Sequence, residues 1–269
     1  MLSVCATPIG NLDDVTLRVL AELAAADVVL CEDTRHTRRL LERHGIRGAR
    51  LLSYHEHNEA ARTSALLPRL EAGDRVALVS DAGLPGVSDP GARLILAAAE
   101  AGVAVTVLPG PSAVDTALVA SGLVADRYQF LGFLPRGEKA LAAVWDELAT
   151  WKWPAVAFES PRRLPTTLGS LARADPQRKV AVCRELTKRH EEVARGSAQE
   201  LAVLFSEAPR GEVTLVVGPA ASAGPRPRTE DAVAAVAELV AAGVARRLAA
   251  GIVARLTGLP RKRLYDMSL

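Results

Sequence analysis

Short, nearly unbroken apolar runs alternate along the chain with longer stretches in which apolar residues recur every three or four positions. The runs Leu2-Ser-Val-Cys-Ala6, Asp27-Val-Val-Leu-Cys31, Leu51-Leu-Ser-Tyr54, Arg75-Val-Ala-Leu-Val79 and Val103-Ala-Val-Thr-Val107 read as buried strands. Between them the spacing predicts helices. The first is capped by Asp13 or Asp14 and reaches about Ala25, with Leu17, Leu20 and Leu23 on one face. The next is capped by Asp33 or Thr34 and stops at Gly45. A third ends at Ala72, a fourth spans residues 92–101, and a fifth, capped by Ser112, reaches about Ser121. Such alternation predicts βαβ units and a mostly parallel sheet.

After the connection Gly122–Arg127, strand-like runs return at Tyr128–Leu134, Pro154–Phe158, Lys179–Cys183 and Glu212–Val217, with helical spacing near 138–150, after Pro161 and near 198–206. The pattern divides the chain into an α/β domain at 1–122, a second at 123–219, a Pro/Ala/Gly/Ser linker at 220–228 and a helical tail at 229–269. Within the tail, Glu230–Ala242 and Ala245–Leu256 are helical, followed by Thr257-Gly-Leu-Pro260 and the basic stretch Arg261–Asp266. That order resembles a helix-turn-helix, and equally a helical hairpin that packs on the body or dimerises.

Composition changes this picture little, and charge somewhat more. Apolar residues make up 49% and charged residues 24%, a globular balance, while aromatics at 4% leave the core to Ala, Val and Leu. No run approaches the roughly 18 apolar residues of a membrane span. Met1-Leu-Ser-Val-Cys-Ala6 enters a strand at once without a basic region, so no signal peptide is expected and the expected location is the cytoplasm. Net charge is +2, but from Arg226 onward eight basic residues face four acidic ones, so the tail carries +4 and the remainder −2. Cys5, Cys31 and Cys183 lie in or at the ends of strand-like runs at spacings that match no zinc motif, and read as buried thiols.

Two strand ends carry unusual punctuation. Ser80–Gly91 holds three glycines and two prolines and is much longer than the roughly two to six residues usual for such connections. Leu108-Pro-Gly-Pro-Ser-Ala113 is the other. The carboxyl edge of an open α/β sheet is where ligands bind. Tight Gly-rich backbone admits a ligand closely, Asp81 accepts from an amine or ribose, and Ser112 begins a helix. No Walker or Gly-x-Gly-x-x-Gly pattern is present, since Gly137-Glu-Lys139 lacks the spacing and Thr7-Pro-Ile-Gly-Asn-Leu12 follows the first strand. A zwitterionic nucleoside suits these loops better than a polyphosphate. His55 and His57 could share a strand face as metal ligands, although a hydrogen-bonded turn is the expected reading.

Cys5-Ala-Thr-Pro-Ile-Gly-Asn-Leu12, Glu32-Asp-Thr-Arg35, Ser53-Tyr-His-Glu-His-Asn-Glu59, Ser80-Asp-Ala-Gly83, Ser88-Asp-Pro-Gly91, Pro109-Gly-Pro-Ser-Ala113, Gly132-Phe-Leu-Pro135, Glu159-Ser-Pro161 and Glu185-Leu-Thr-Lys188 follow one another in order. This collinear set, spanning residues 3 to about 217, closely resembles the small-subunit ribosomal RNA methyltransferase I family of the tetrapyrrole methylase superfamily. The resemblance implies two α/β domains of the tetrapyrrole methylase type with S-adenosyl-L-methionine in the cleft between them, and a homodimer. It also implies 2′-O-ribose methylation of a cytidine in the decoding region of 16S ribosomal RNA, as RNA or in the 30S subunit, with no membrane partner. Carried over, the cofactor loops fall on Asp81, Ala82, Gly83, Leu84 and Val87, and on Ser112 and Ala113. Leu84 and Arg162 depart from the family patterns, standing where Thr and His are expected.

Methyl transfer asks a protein chiefly to align the acceptor oxygen and exclude water. Glu32, Asp33, Glu159, Glu185 and Lys188 fall at predicted strand ends, and Glu185 and Lys188 are the catalytic candidates. Arg35, Arg38, Arg39, Arg136, Arg162 and Arg163 are candidates for phosphate contacts at the cleft rim. A tetrapyrrole or other small-molecule methyltransferase, and a non-enzymatic nucleic-acid-binding regulator, are the alternative readings.

Overall fold

A computed structural model describes residues 1–86, 88–220, 229–257 and 259–268, in two compact units, Met1–Pro219 and Ala220–Leu269. The expected linker at 220–228 lies, apart from Ala220, outside the described residues, as does Val87.

The first unit opens with β1 (Leu2–Cys5), α1 (Leu17–Ala25), β2 (Val28–Cys31), α2 (Thr34–Arg43), β3 (Leu51–Ser53), α3 (Glu59–Glu71), β4 (Val76–Val79), α4 (Ala92–Glu100) and β5 (Val105–Leu108). These strands form an all-parallel sheet in the order β3-β2-β4-β1-β5. Alternation along each strand decides which helices cover which face. Cys5, Val29, Cys31, Ala77 and Val79 pack with Val19 and Leu23 of α1 and Leu40 and Leu41 of α2. Val4, Leu30 and Leu78 pack with Leu66 and Leu70 of α3 and Leu94 and Ala98 of α4. The chain therefore crosses the sheet one way on one face and returns on the other. The neighbours β1 and β4 send it to opposite faces, so their carboxyl ends mark the point where a crevice opens.

Helix α1 starts later than the sequence suggests. Thr16 is its cap, Oγ1 accepting from Val19 N at 3.2 Å, while Asp13 is drawn into an ion pair with Arg43 at 2.9 Å. Val19 and Leu23 are its buried residues, and Leu17 is 84% exposed rather than on the inward face.

The chain then forms α5 (Ala113–Ser121), β6 (Gln129–Phe133), α6 (Glu138–Leu148), β7 (Ala155–Glu159), α7 (Leu164–Ala174), β8 (Lys179–Arg184), β9 (Glu192–Ser197), α8 (Ala198–Leu204) and β10 (Val213–Val217). The second sheet runs β6-β7-β10-β8-β9. Here the expectation of a mostly parallel sheet fails: only β6 and β7 pair in parallel, and the other three pairings are antiparallel. The cause is β9, which the apolar pattern did not reveal. The β8–β9 turn reverses the chain, so β10 inserts antiparallel between β7 and β8. Helix α5 follows β5 but buries Val114, Ala117 and Leu118 against Val156, Ala181 and Val216 of the second sheet. Arg195 of β9 binds the α5 carbonyls of Ala120 and Ser121, capping the helix at the end where a cation is favoured.

The second unit holds α9 (Thr229–Ala241), α10 (Arg246–Thr257) and α11 (Arg261–Met267). Val236, Ala249, Ala250, Val253 and Leu264 close a small core of their own. Three helices rather than a two-helix hairpin share that core. No helix among the described residues is long and apolar enough to cross a membrane.

Candidate functional site

The crevice between β1 and β4 is built by backbone pairing. Thr7 and Gly83 exchange hydrogen bonds, Thr7 N to Gly83 O at 2.9 Å and Gly83 N to Thr7 O at 3.0 Å. Thr7 Oγ1 donates to Ser80 O at 3.0 Å, and the buried Ser80 hydroxyl turns back to the carbonyls of Ala82 and Gly83. Gly83 adopts φ 79°, a conformation that favours glycine. A Cβ there would stand 3.8 Å from Pro111 O and 3.9 Å from Ile9 Cγ2. The structure thus brings the 80–91 loop beside the 109–113 turn, with Ile9 of the β1–α1 loop alongside. Ser112 caps α5 by accepting from Asp115 N at 3.3 Å, and Ala113 is the first residue of that helix. Ala82 is exposed and Leu84 half-buried.

Carboxylates gather at this edge. Asp33 N donates to Asp81 Oδ1 at 3.1 Å, tying the start of α2 to the loop. Asp89 is pushed up to about 6 by burial, with Glu32 and Asp81 raising it further and Ser80 opposing. Glu32 is likewise raised, by burial first and then by Asp81. Asp33 is held well below the usual range by the Arg35 guanidinium, with which it forms a 2.7 Å ion pair. Asp89 was not singled out from the sequence. Its position in the same Gly/Pro-rich loop as Asp81 was the available signal.

The β8–β9 turn meets the crevice from the second sheet. A Cβ on Gly10 would lie 2.6 Å from Lys188 Cγ, 2.7 Å from Thr187 Oγ1 and 2.8 Å from Leu186 O, and Asn11 N donates to Thr187 Oγ1 at 3.0 Å. Glu185 and Thr187 have φ values of 52° and 65°, which non-glycine residues rarely adopt. Lys188 Nζ bridges Glu185 at 2.9 Å and Glu212 at 2.5 Å. The Glu212 N–H, with Lys188, holds the Glu185 carboxyl below its usual range against partial burial. Burial opposes the Lys188 charge, yet its bonds to Glu212 and Glu185 carry the pKa upward. Glu212 and Gly211, where an added Cβ would collide with Glu185 Cδ, lock this pair and were not anticipated.

Arg35, Arg38, Arg39, Arg136 and Arg162 are exposed. Arg163 is spent inside the fold: its Nη2 donates to Leu134 O, Pro135 O and Glu159 Oε2 at 3.0, 2.6 and 3.2 Å. The buried Glu159 also accepts from Thr167 Oγ1 and Ser160 N. His55 belongs to a turn, its N–H donating to Asn58 Oδ1 at 2.9 Å, and no metal-binding cluster occurs among the described residues. The three cysteines are buried and unpaired. Burial pushes the thiols of Cys5 and Cys183 up to about 12 and about 11, away from nucleophilic use.

Known proteins resemble this chain in sequence and in fold. "Ribosomal RNA small subunit methyltransferase I" of Mycobacterium tuberculosis is 49% identical over 240 residues, covering 88% of this chain and 83% of its own. The protein of the same name from Synechocystis is 41% identical over 275 residues, covering 100% and 97%. Among solved structures, the methyltransferase CobJ superposes with a TM-score of 0.65 at 22% identity, over 82% of this chain and 94% of its own. A uroporphyrin-III C-methyltransferase from Thermus thermophilus, complexed with S-adenyl homocysteine, gives 0.57 at 18% identity, over 81% and 96%. These likenesses in structure establish the fold, and the family model for tetrapyrrole (corrin/porphyrin) methylases matches residues 1–202. On this match and on those two sequence relatives, the chain belongs to the tetrapyrrole methylase family.

Proposed function

We propose that this protein uses S-adenosyl-L-methionine to methylate the ribose 2′-hydroxyl of a cytidine in the decoding region of 16S ribosomal RNA, acting in the cytoplasm as a homodimer. The observation that carries the reading is the paired Gly83 and Ser112 loops at the reversal of the sheet, in a chain 49% identical to a protein named for ribosomal RNA methylation.

The residues present fit such a donor. Asp81 Oδ1 is held by Asp33 N, leaving Oδ2 to accept from a ribose hydroxyl or ammonium. Ala82, Gly83 and Ala113 keep side-chain bulk away, and the half-buried Leu84 supplies apolar surface. The carboxylates of Glu32, Asp81 and Asp89 favour a cationic ligand. Val87 is part of the same loop. When bound, the donor supplies an activated methyl group whose transfer leaves a neutral thioether. The protein's own contribution is placement. The Thr7–Gly83 pairing fixes one loop, the Ser112 cap fixes the other, and the packed β1–α1 loop excludes water between them. Glu185 and Lys188 take the acceptor side: the clamped ammonium faces developing charge on the 2′-oxygen, and Glu185 holds it in place. Arg35, Arg38, Arg39, Arg136 and Arg162 are offered to the RNA phosphates.

Incubation with labelled donor and small ribosomal subunits, protein-free RNA or a porphyrinogen tests the proposal. Label is expected on the ribosomal substrate, lost with Asp81→Ala in step with donor affinity. Label on the porphyrinogen alone would sink it.

A further inference from the structure

β6 should present alternate residues to opposite faces. Leu131 packs with the core of the second sheet, whereas Phe130 packs with α5 and Ile9 on the other face. By alternation Phe133 would follow Leu131 into the core. It does not. Phe130 pairs with Val156 and Phe133 with Phe158, so three steps along β6 match two along β7 and one extra residue bulges out. The bulge is made by Gly132 at φ 65°, and it moves Phe133 to the face of Phe130 and Phe158. Bulges of this kind re-aim side chains beside active sites.

The re-aimed ring is left in the open. Phe133 is 64% exposed, in a chain only 4% aromatic. Its inner side rests on Phe158, ring centroids 5.4 Å apart, and Phe158 rests on Phe130 at 5.1 Å. The support is stiff. Leu134 N donates to Phe158 O at 3.2 Å, the Leu134 side chain is buried, and Arg163 grips the carbonyls of Leu134 and Pro135 from α7. The bulge also abuts the donor loop, since a Cβ on Gly132 would sit 3.6 Å from Ser88 Oγ. Arg136, three residues after Phe133, and Arg162, the neighbour of Arg163, are both exposed.

We propose that Phe133 is a stacking platform for an unpaired nucleobase of the RNA acceptor, at or next to the methylated nucleotide, with Arg136 and Arg162 taking the adjoining phosphates. This rests on the RNA-methylation reading. An aromatic ring braced by a tilted contact with Phe158 and largely exposed suits a base taken out of its helix, since every base offers a π-face. A solitary exposed apolar side chain would carry no such meaning. The left-handed glycine, the extra residue and the Arg163 clamp set this one apart.

The test compares Phe133→Leu and Phe133→Trp with the parent protein. Phe133→Leu is expected to weaken acceptor binding about 5- to 150-fold, the range of one lost base stack, seen as a rise in KM for the ribosomal substrate. Phe133→Trp is expected to retain affinity. Donor affinity by calorimetry and dimer sedimentation should stay unchanged in both. A short oligoribonucleotide carrying the fluorescent base pyrrolo-cytidine should be quenched by the parent and Phe133→Trp but not by Phe133→Leu. Three results overturn the inference: parental KM and quenching in Phe133→Leu, an equal loss of donor affinity, or dissociation of the dimer. If the parent methylates the ribosomal substrate while these occur, the platform fails and the RNA reading stands. If the parent transfers nothing to RNA, both fail.

Discussion

Gly10 of the β1–α1 loop packs directly against the β8–β9 turn, and Gly10→Ala isolates the consequence. Only one carbon is added, yet it would stand 2.8 Å from Leu186 O, about 0.6 Å inside the 3.4 Å at which contact becomes ordinary. Thr187 Oγ1 and Lys188 Cγ are nearer still, at 2.7 and 2.6 Å. Lys188 can swing aside only by leaving Glu185 and Glu212. Thr187 is already at φ 65° and accepts the Asn11 amide, so its retreat breaks that hydrogen bond. Overpacking costs about 1–3 kcal/mol and the hydrogen bond about 1 kcal/mol more. For a unit of this size, that lowers the melting temperature by roughly 4–16 °C. The displaced β1–α1 loop carries Thr7 and Ile9, so donor affinity and methyl transfer should fall with it. Scanning calorimetry and titration calorimetry read the two effects. The double variant Gly10→Ala/Thr187→Gly, which removes one clash and the strained φ, should recover part of the loss. A Gly10→Ala protein with parental melting temperature and donor affinity would refute the account of this junction.

Asp89→Asn tests the carboxylate cluster. Because the folded Asp89 carboxyl is raised from 3.8 to about 6, its ionisation opposes folding. Parent and variant should be equally stable below about pH 4, diverge between there and pH 6, and differ fully above it, the variant melting higher. An unchanged difference from pH 4 to pH 8 would remove the electrostatic reading. For the second unit, Arg247, Arg255 and Arg261 line a groove of about 650 Å³ with Gly251, form no ion pair among the described residues, and suit RNA phosphates. Truncation after Pro219 should leave donor affinity intact, weaken RNA binding and flatten its salt dependence by about 0.7 log unit for each phosphate no longer neutralised. Equal RNA affinity with and without the tail would leave that unit a packing element.

Local pattern carried the sequence reading a long way. β1, β2 and β4 are apolar enough to be recognised without neighbours, and Asp33 and Ser112 cap their helices because a short polar side chain before an apolar repeat satisfies the first free amides. The loop at 80–91 was legible because glycine and proline density is itself local information. In the first sheet every pairing is parallel, as the alternation of strands and helices predicts. What failed depended on partners distant in sequence. Asp13 could cap a helix, but Arg43, thirty residues on, claims it. β9, Glu192–Ser197, has too few apolar residues to announce itself and exists because β8 pairs with it. Missing it concealed the antiparallel half of the second sheet.

The site divides the same way. Glycine and proline spacing marked Asp81, Gly83 and Ser112, since backbone shape is written into the residues that adopt it. Only the tertiary fold seated Gly10 against Thr187, gathered Glu32, Asp81 and Asp89 around one edge, turned Arg163 from a surface cation into a clamp, and aimed Phe133 outward. Those roles arise from distances between segments far apart in the chain, which sequence spacing alone does not contain.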